Sequence, residues 1–154
     1  MLYRIAPHLA FLIQWLRVLG INVLFWEKGL ILDPAQETVV QWDRYPLPLK
    51  EKNLPIISLS ETEPQDLLQE FLLLAGIRPT TSDLFTRCLR CNGLLVSLTP
   101  AEAKEKWPEL PVYVFKTQKR FNWCATCRHL FWAGTHVRNM VRTLKEWGIP
   151  LEPQ

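Results

Sequence analysis

The chain has 154 residues, 48% of them hydrophobic and 21% charged, with a formal charge of +3. That length fits one domain, or a small domain plus a module, and the apolar share is that of an ordinary globular protein. The small net charge does not by itself imply a nucleic-acid partner, but it is unevenly spread. Residues 1–80 carry seven basic and nine acidic side chains (−2), and residues 81–154 carry eleven and six (+5). The first twenty residues are apolar, yet Gln14 and Arg17 interrupt them and no small-x-small cleavage site follows. They are also too polar for a membrane span, which needs about 20 mostly apolar residues. The expectation is a cytoplasmic protein with no membrane partner, whose thiols stay reduced and available to a metal.

In chain order, residues 3–6 read as a short strand and residues 7–19 as a helix, with Leu9, Leu12, Ile13, Leu16 and Leu19 on one stripe and Gly20 ending it. Residues 21–26 are apolar nearly throughout, as a buried parallel strand would be. Strand, helix and strand make a βαβ unit and an α/β fold. Residues 29–32, a turn at Asp33-Pro34 and residues 38–42 read as a hairpin. Pro46 and Pro48 forbid a central strand beyond it. Asp33 reads as a turn residue, Glu37 and Asp43 as solvent-facing, and Glu51 as part of a mixed-charge loop. Residues 55–59 are a further strand. Thr62 and Gln65 form a capping-box start for a helix that buries Leu67, Leu68, Phe71, Leu72 and Ala75 and stops at Gly76. Residues 77–83 read as a linker.

All four cysteines follow, as Cys88-x-x-Cys91 and Cys124-x-x-Cys127 with 32 residues between the pairs. A C-x-x-C knuckle turns tightly and aims two sulfurs at one point, and two knuckles supply the four thiolates of a tetrahedral Zn²⁺ site. The other readings are two disulfides or a thioredoxin-like pair. Two complete pairs speak against a lone redox motif, and a reducing compartment speaks against disulfides. Four sulfurs fill the coordination shell, so the zinc is structural. Arg87, Arg90 and Arg128 stand beside the ligands, either offsetting their charge or contacting phosphates. Between the knuckles, residues 93–98 read as a strand, and Thr99 and Glu102 as a second capping box for a helix ending near Trp107. Residues 112–121 read as a ribbon strand carrying Lys116, Lys119 and Arg120. Thr135 is expected to cap a closing helix with Val137, Met140, Val141 and Leu144 inward and Arg138, Arg142 and Lys145 outward.

Arg87-Cys88-x-x-Cys91-Asn92-Gly93-x-Leu95, Cys124-x-x-Cys127, and Phe131-Trp132-x-Gly134-Thr135-His136 together resemble the Mut-seven C-terminal RNase domain. The stretch from Leu9 to Gly20 is similar to that family's first helix. The resemblance implies a PIN-like (Rossmann-like) nuclease fold followed by a zinc ribbon, and a role in RNA binding or processing. It also implies an Asp where this chain has Ala6, and a further Asp near Lys50; PIN-type nucleases need several carboxylates around a divalent ion to activate water. The expectation is a reduced, degenerate PIN-like α/β domain over residues 1–80 and a zinc ribbon with its C-terminal helix over residues 84–148. No catalytic residue is assigned. An active RNase using Asp33 or Asp43, and a scaffold subunit docking a protein partner through the apolar N-terminal half, are the alternatives. Cys88, Cys91, Cys124 and Cys127 are the candidate metal ligands. Lys116, Lys119, Arg120, Arg138 and Arg142 are the candidates for an RNA backbone. His136 is either a buried residue locking the Gly134 turn or an RNA contact. Phe121, Trp123, Phe131 and Trp132 either cover the ribbon's small core or stack on unpaired bases.

Overall fold

The computed structural model describes residues 1–153 and divides them into two units, Met1–Phe85 with the segment from Leu151 onward, and Thr86–Pro150. The first unit is built on a parallel sheet of β1 (Leu2–Ile5), β2 (Val23–Phe25), β3 (Glu37–Trp42) and β4 (Ile56–Leu59), in the order β2-β1-β3-β4. Helix α1 (Ala10–Val18), entered through a 3-10 turn at Pro7–Leu9, connects β1 to β2 and completes the expected βαβ unit. No side chain caps α1. Its stability comes from burial instead: Leu9, Leu12, Leu16 and Leu19 recur at helical spacing, all out of solvent. Helix α2 (Pro64–Ala75) packs on β4 and against α1, burying Leu67, Leu68, Phe71 and Leu72, with the Phe71 ring edge-on to Tyr3 at 5.1 Å. Gly76 ends it in the left-handed conformation (φ 68°), which costs glycine little.

Four expectations for this unit are corrected. Residues 29–32 form no strand, and β3 pairs in parallel with β1 from Leu2↔Glu37 to Ile5↔Val40 rather than as a hairpin arm. Asp33 is the cause. Its carbonyl accepts from Gln36 N (3.0 Å) and Glu37 N (2.8 Å), and its Oδ1 accepts from Ala35 N (3.0 Å), so the chain turns locally before β3. Leu30 and Leu32 then fold inward with Trp26, Leu47, Leu49 and Leu54 onto Val39, so two loops do the covering that a helix does elsewhere in such sheets. Glu37 is not solvent-facing. It is buried, and its carboxylate accepts from Arg4 Nε (2.8 Å) and Asp33 N (2.7 Å). Thr62 does not cap α2, whose N-cap is Glu63 with no side-chain bond. Glu70 ties that end down instead, accepting from Ser60 N (2.8 Å), Ser60 Oγ (2.7 Å) and Glu61 N (3.1 Å). The segment read as a linker carries structure of its own: Thr80 and Asp83 form a capping box, and Thr80 bridges Glu152 in parallel.

The second unit holds an antiparallel sheet of β5 (Val96–Leu98), β6 (Phe121–Cys124) and β7 (His129–Phe131), in that order. The Thr99–Glu102 capping box forms as expected at the head of α3 (Pro100–Lys106). Residues 112–121 are not one strand. Val112–Thr117 is a helix, α4, and the strand starts at Phe121. Pro111, with φ −55°, opens the helix and accepts from Phe115 N at 3.0 Å, while Thr117 Oγ1 donates to Tyr113 O at 2.8 Å. Val114 and Phe115 are thereby laid on a core of Leu98, Ala103, Leu110, Phe121, Trp123 and Leu130. The closing helix α5 (Thr135–Glu146) buries Met140 and Leu144 and exposes Arg138, Arg142 and Lys145, but Gly134 rather than Thr135 occupies its N-cap. No helix among the described residues is long and apolar enough to cross a membrane.

Glu37 makes the sheet's stability pH-dependent. Burial works to raise its pKa, but the Asp33 N–H and the Arg4 guanidinium outweigh it and hold the carboxyl below its ordinary 4.5. A depressed carboxylate contributes stability above the unfolded-state value and loses it as pH falls through the folded-state value. Glu37→Gln is expected to cost about 1.5–3 kcal/mol at pH 7 by urea unfolding, and the gap from wild type should shrink as the pH is lowered below 4.5.

Candidate functional site

The knuckles bring all four sulfurs together. Cys88, Cys91, Cys124 and Cys127 have Sγ atoms within 4.8 Å of one another, able to hold a metal ion. All four are free thiols; Cys88 and Cys127 stand 3.9 Å apart, and Cys91 and Cys124 3.5 Å. Local backbone sets this geometry. The residue after each knuckle is left-handed, Asn92 at φ 74° and Arg128 at φ 52°. Asparagine tolerates that region well and arginine poorly, so Arg128 is held there by the sulfur cluster on one side and β7 on the other. The turns aim N–H groups at sulfur: Arg90 N to Cys88, Gly93 N to Cys91 and Cys127 N to Cys124, each 3.4 Å. Gly93 sits close against the site: a Cβ there would press on Cys91 Sγ at 3.3 Å and touch Cys124 Sγ at 3.9 Å. Arg87 closes the first knuckle by donating from Nη1 to Asn92 O at 3.0 Å, which favours its structural reading over a phosphate contact.

The electrostatics suit a bound cation. Burial opposes ionisation of Cys91, but the Gly93 N–H and the Cys127, Cys124 and Cys88 thiols outweigh it and bring Cys91 down to about 7. The hydrogen bond to Cys91, ahead of burial, pushes Cys127 up to about 12, and burial raises Cys88. One thiol ionises readily and its neighbours then resist, so the four become thiolates together only around a positive ion.

The other sequence candidates are placed as follows. Lys116 lies on α4, Lys119 and Arg120 in the turn before β6, and Arg138, Arg142 and His136 on α5, all exposed. His136 is therefore not the buried lock of the Gly134 turn. Trp132 takes that role: Gly134 N donates to Trp132 O at 2.8 Å, and a Cβ on Gly134 would meet the indole Nε1 at 3.2 Å. Phe121 and Trp123 are core residues. Trp132 is half-buried, with Phe121 edge-on at 6.1 Å and Trp107 near-parallel at 6.4 Å and 22°. These indoles border a cavity of about 290 Å³ lined by Lys106, Trp107, Trp123, Arg128, His129, Leu130 and Trp132. Lys106 and Trp107 carried no signal for it in the sequence, where they read only as the end of a helix.

In an open parallel sheet the ligand crevice lies beyond the carboxyl ends of the strands, where the strand order reverses; here that is between β1 and β3. Ala6 follows β1, fully buried, with its N–H on Val40 O and its carbonyl accepting from Leu9 N, both at 2.9 Å. Asp43 follows β3 and is exposed. Beside them His8 stacks on Tyr45 at 4.4 Å, and Arg44 lies over the Trp42 ring at 5.6 Å. Asp33 and Glu37 lie at the amino end of β3, separated from Asp43 by a six-residue strand, or about 20 Å. Among the described residues, the cysteines are the one group of three or more His, Cys, Asp or Glu side chains close enough to share an ion.

A parallel α/β sheet joined to a four-cysteine cluster consistent with a zinc ribbon defines the class of protein. The family model described as the Mut7-C RNAse domain matches residues 4–144, and the chain belongs to that family. No curated protein and no solved structure matches it.

Two substitutions test the metal centre. Cys91→Ser removes a ligand and should abolish stoichiometric metal binding. Gly93→Ala keeps all four ligands but crowds the Cys91 sulfur, and should weaken the metal about tenfold or more. Competition with a chromophoric chelator measures both.

Proposed function

We propose that this protein is an RNA-binding module derived from a PIN-like RNase, with a degenerate catalytic half over residues 1–80 and a structural zinc ribbon over residues 84–148. The observation that carries the reading is Ala6: the switch-point position where the resemblance implies a metal-binding Asp holds a buried methyl group with no ligand atom. The remaining carboxylates do not compensate. Glu37 is committed to Arg4, and Asp33 lies at the opposite end of β3 from Asp43. A hydrolytic centre of the PIN type needs several carboxylates on one divalent ion. At the same crevice the chain has His8, Trp42, Arg44 and Tyr45, residues suited to stacking and phosphate contact rather than to activating water.

Zinc is the ion that suits the four thiolates. Tetrahedral Zn–S bonds of about 2.3 Å put sulfurs about 3.8 Å apart, against 3.5 and 3.9 Å for the two closest pairs described above. With four thiolates and Zn²⁺ contributing −2, the +5 of residues 81–154 becomes about +3, still the basic half of the chain. Lys116, Lys119, Arg120, Arg138, Arg142 and His136 are its exposed candidates for the RNA backbone. A reducing, cytoplasmic setting suits a tetrathiolate site.

Purified protein should bind single-stranded RNA with an affinity that falls steeply with salt, each phosphate contact adding about 0.7 to the slope of log affinity against log salt. Arg138→Ala with Arg142→Ala should flatten that slope. With Mn²⁺ or Mg²⁺ the RNA should stay intact; metal-dependent cleavage that disappears in Asp33→Asn/Asp43→Asn would overturn the reading in favour of an active RNase.

A further inference from the structure

We propose that the aromatic cavity of the ribbon unit is a subsite for one unpaired RNA nucleotide, its base against the Trp107–Trp132 pair and its phosphate at the rim formed by Lys106 and Arg128. The inference rests on the RNA-binding reading and locates it at particular residues.

Three features of the cavity define its guest. The walls are indole faces: Trp107 and Trp132 are near-parallel at 6.4 Å, and Trp123 forms a further side under the Lys106 ammonium, 5.7 Å from its ring. Flat apolar faces of this kind take a planar ring by stacking, with little regard to sequence. The rim carries two cations, Lys106 and Arg128, with His129 beside them and no carboxylate among the lining residues. That charge pattern separates two guests that both favour tryptophan. A methylated ammonium, the usual occupant of an aromatic cage, would face basic groups and no counter-ion. A nucleotide brings an aromatic base for the indoles and a phosphate for the cations. The size, about 290 Å³, is at the small end for ligand pockets; it takes one nucleotide and excludes a base pair.

The metal centre and the helix entry position these groups. Arg128 follows the ligand Cys127 in a left-handed conformation, so the second knuckle sets the direction of a rim cation. Gly134 leaves room for the Trp132 indole, whose Nε1 would lie 3.2 Å from any Cβ there. The Phe-Trp-x-Gly-Thr-His run thereby acquires a physical reading: tryptophan as wall, and glycine as the space that lets the wall stand.

The test is fluorescence anisotropy of a labelled ten-nucleotide oligouridylate with the metal-loaded full chain. Trp107→Ala removes the exposed wall and should weaken binding about tenfold or more, since stacking on an aromatic side chain carries about 5- to 150-fold per base. Trp107→Tyr should restore binding to within about threefold, because it returns a stacking face. Lys106→Glu, a change on an exposed side chain, gives an independent variant and should also weaken binding about tenfold. RNA duplex of the same length should bind more weakly than the single strand. If Trp107→Ala and Lys106→Glu, both folded and metal-loaded, bind as wild type while Arg138→Ala/Arg142→Ala does not, the cavity is not the site although RNA binding stands. If wild type binds no single-stranded RNA, both the subsite and the RNA-binding reading fall. Trp107-dependent binding of a trimethyl-lysine peptide in preference to RNA would likewise overturn the nucleotide assignment.

Discussion

Four thiols held within 4.8 Å of one another are the constraint on which the C-terminal unit depends. Left to themselves they repel ionisation: once Cys91 gives up its proton, Cys127 is pushed up to about 12. A metal ion held by all four would turn that mutual opposition into a cross-link between segments more than 30 residues apart in sequence. The unit needs such a link, because its buried core is a small set of side chains around Phe121 and Trp123, and small modules commonly rely on a metal for folding energy. The strain at Arg128 makes sense in the same terms. It is a local cost that the sulfur cluster over-determines.

The N-terminal unit is held by different means. Its sheet is stapled at one end by the part-buried Arg4–Glu37 pair, covered by α1 and α2, and closed elsewhere by loops that contribute Trp26 and several leucines. At the carboxyl end of β1 stands the buried Ala6. What remains at the crevice is a stacked histidine and tyrosine and an arginine over a tryptophan. In this account both units present aromatic and basic side chains, and neither gathers carboxylates.

Much of this was legible from residue patterns. The 3.6-residue stripe from Leu9 to Leu19, the Thr99–Glu102 box and the paired C-x-x-C spacing each encode local geometry strongly enough to read directly, and each formed. The failures share a cause: a tertiary partner decided the outcome. Residues 29–32 have strand composition, but the Asp33 turn and the empty face of the sheet draw their leucines inward. Residues 112–121 alternate loosely, yet Pro111 and a core waiting for Val114 and Phe115 select a helix. Glu37 found Arg4 on the neighbouring strand, a pairing that becomes visible only once β1 and β3 are known to be parallel. The cavity was illegible for the same reason, since it joins the end of α3 to β6, β7 and the residues after them. Trp132 took the place expected of His136 because the space beside Gly134 suits an indole at two residues' distance.

The central claim is that the sulfur-bound metal holds the C-terminal unit in shape. Seven tryptophans spread over both units report on it through their indole N–H signals in a nitrogen–proton correlation spectrum, before and after chelation under reducing conditions. The account predicts that Trp123 and Trp132 lose their dispersed positions when the metal is removed and regain them when zinc is returned, while Trp15, Trp26 and Trp42 stay where they were. Ribbon indole signals that do not move on metal removal would contradict it.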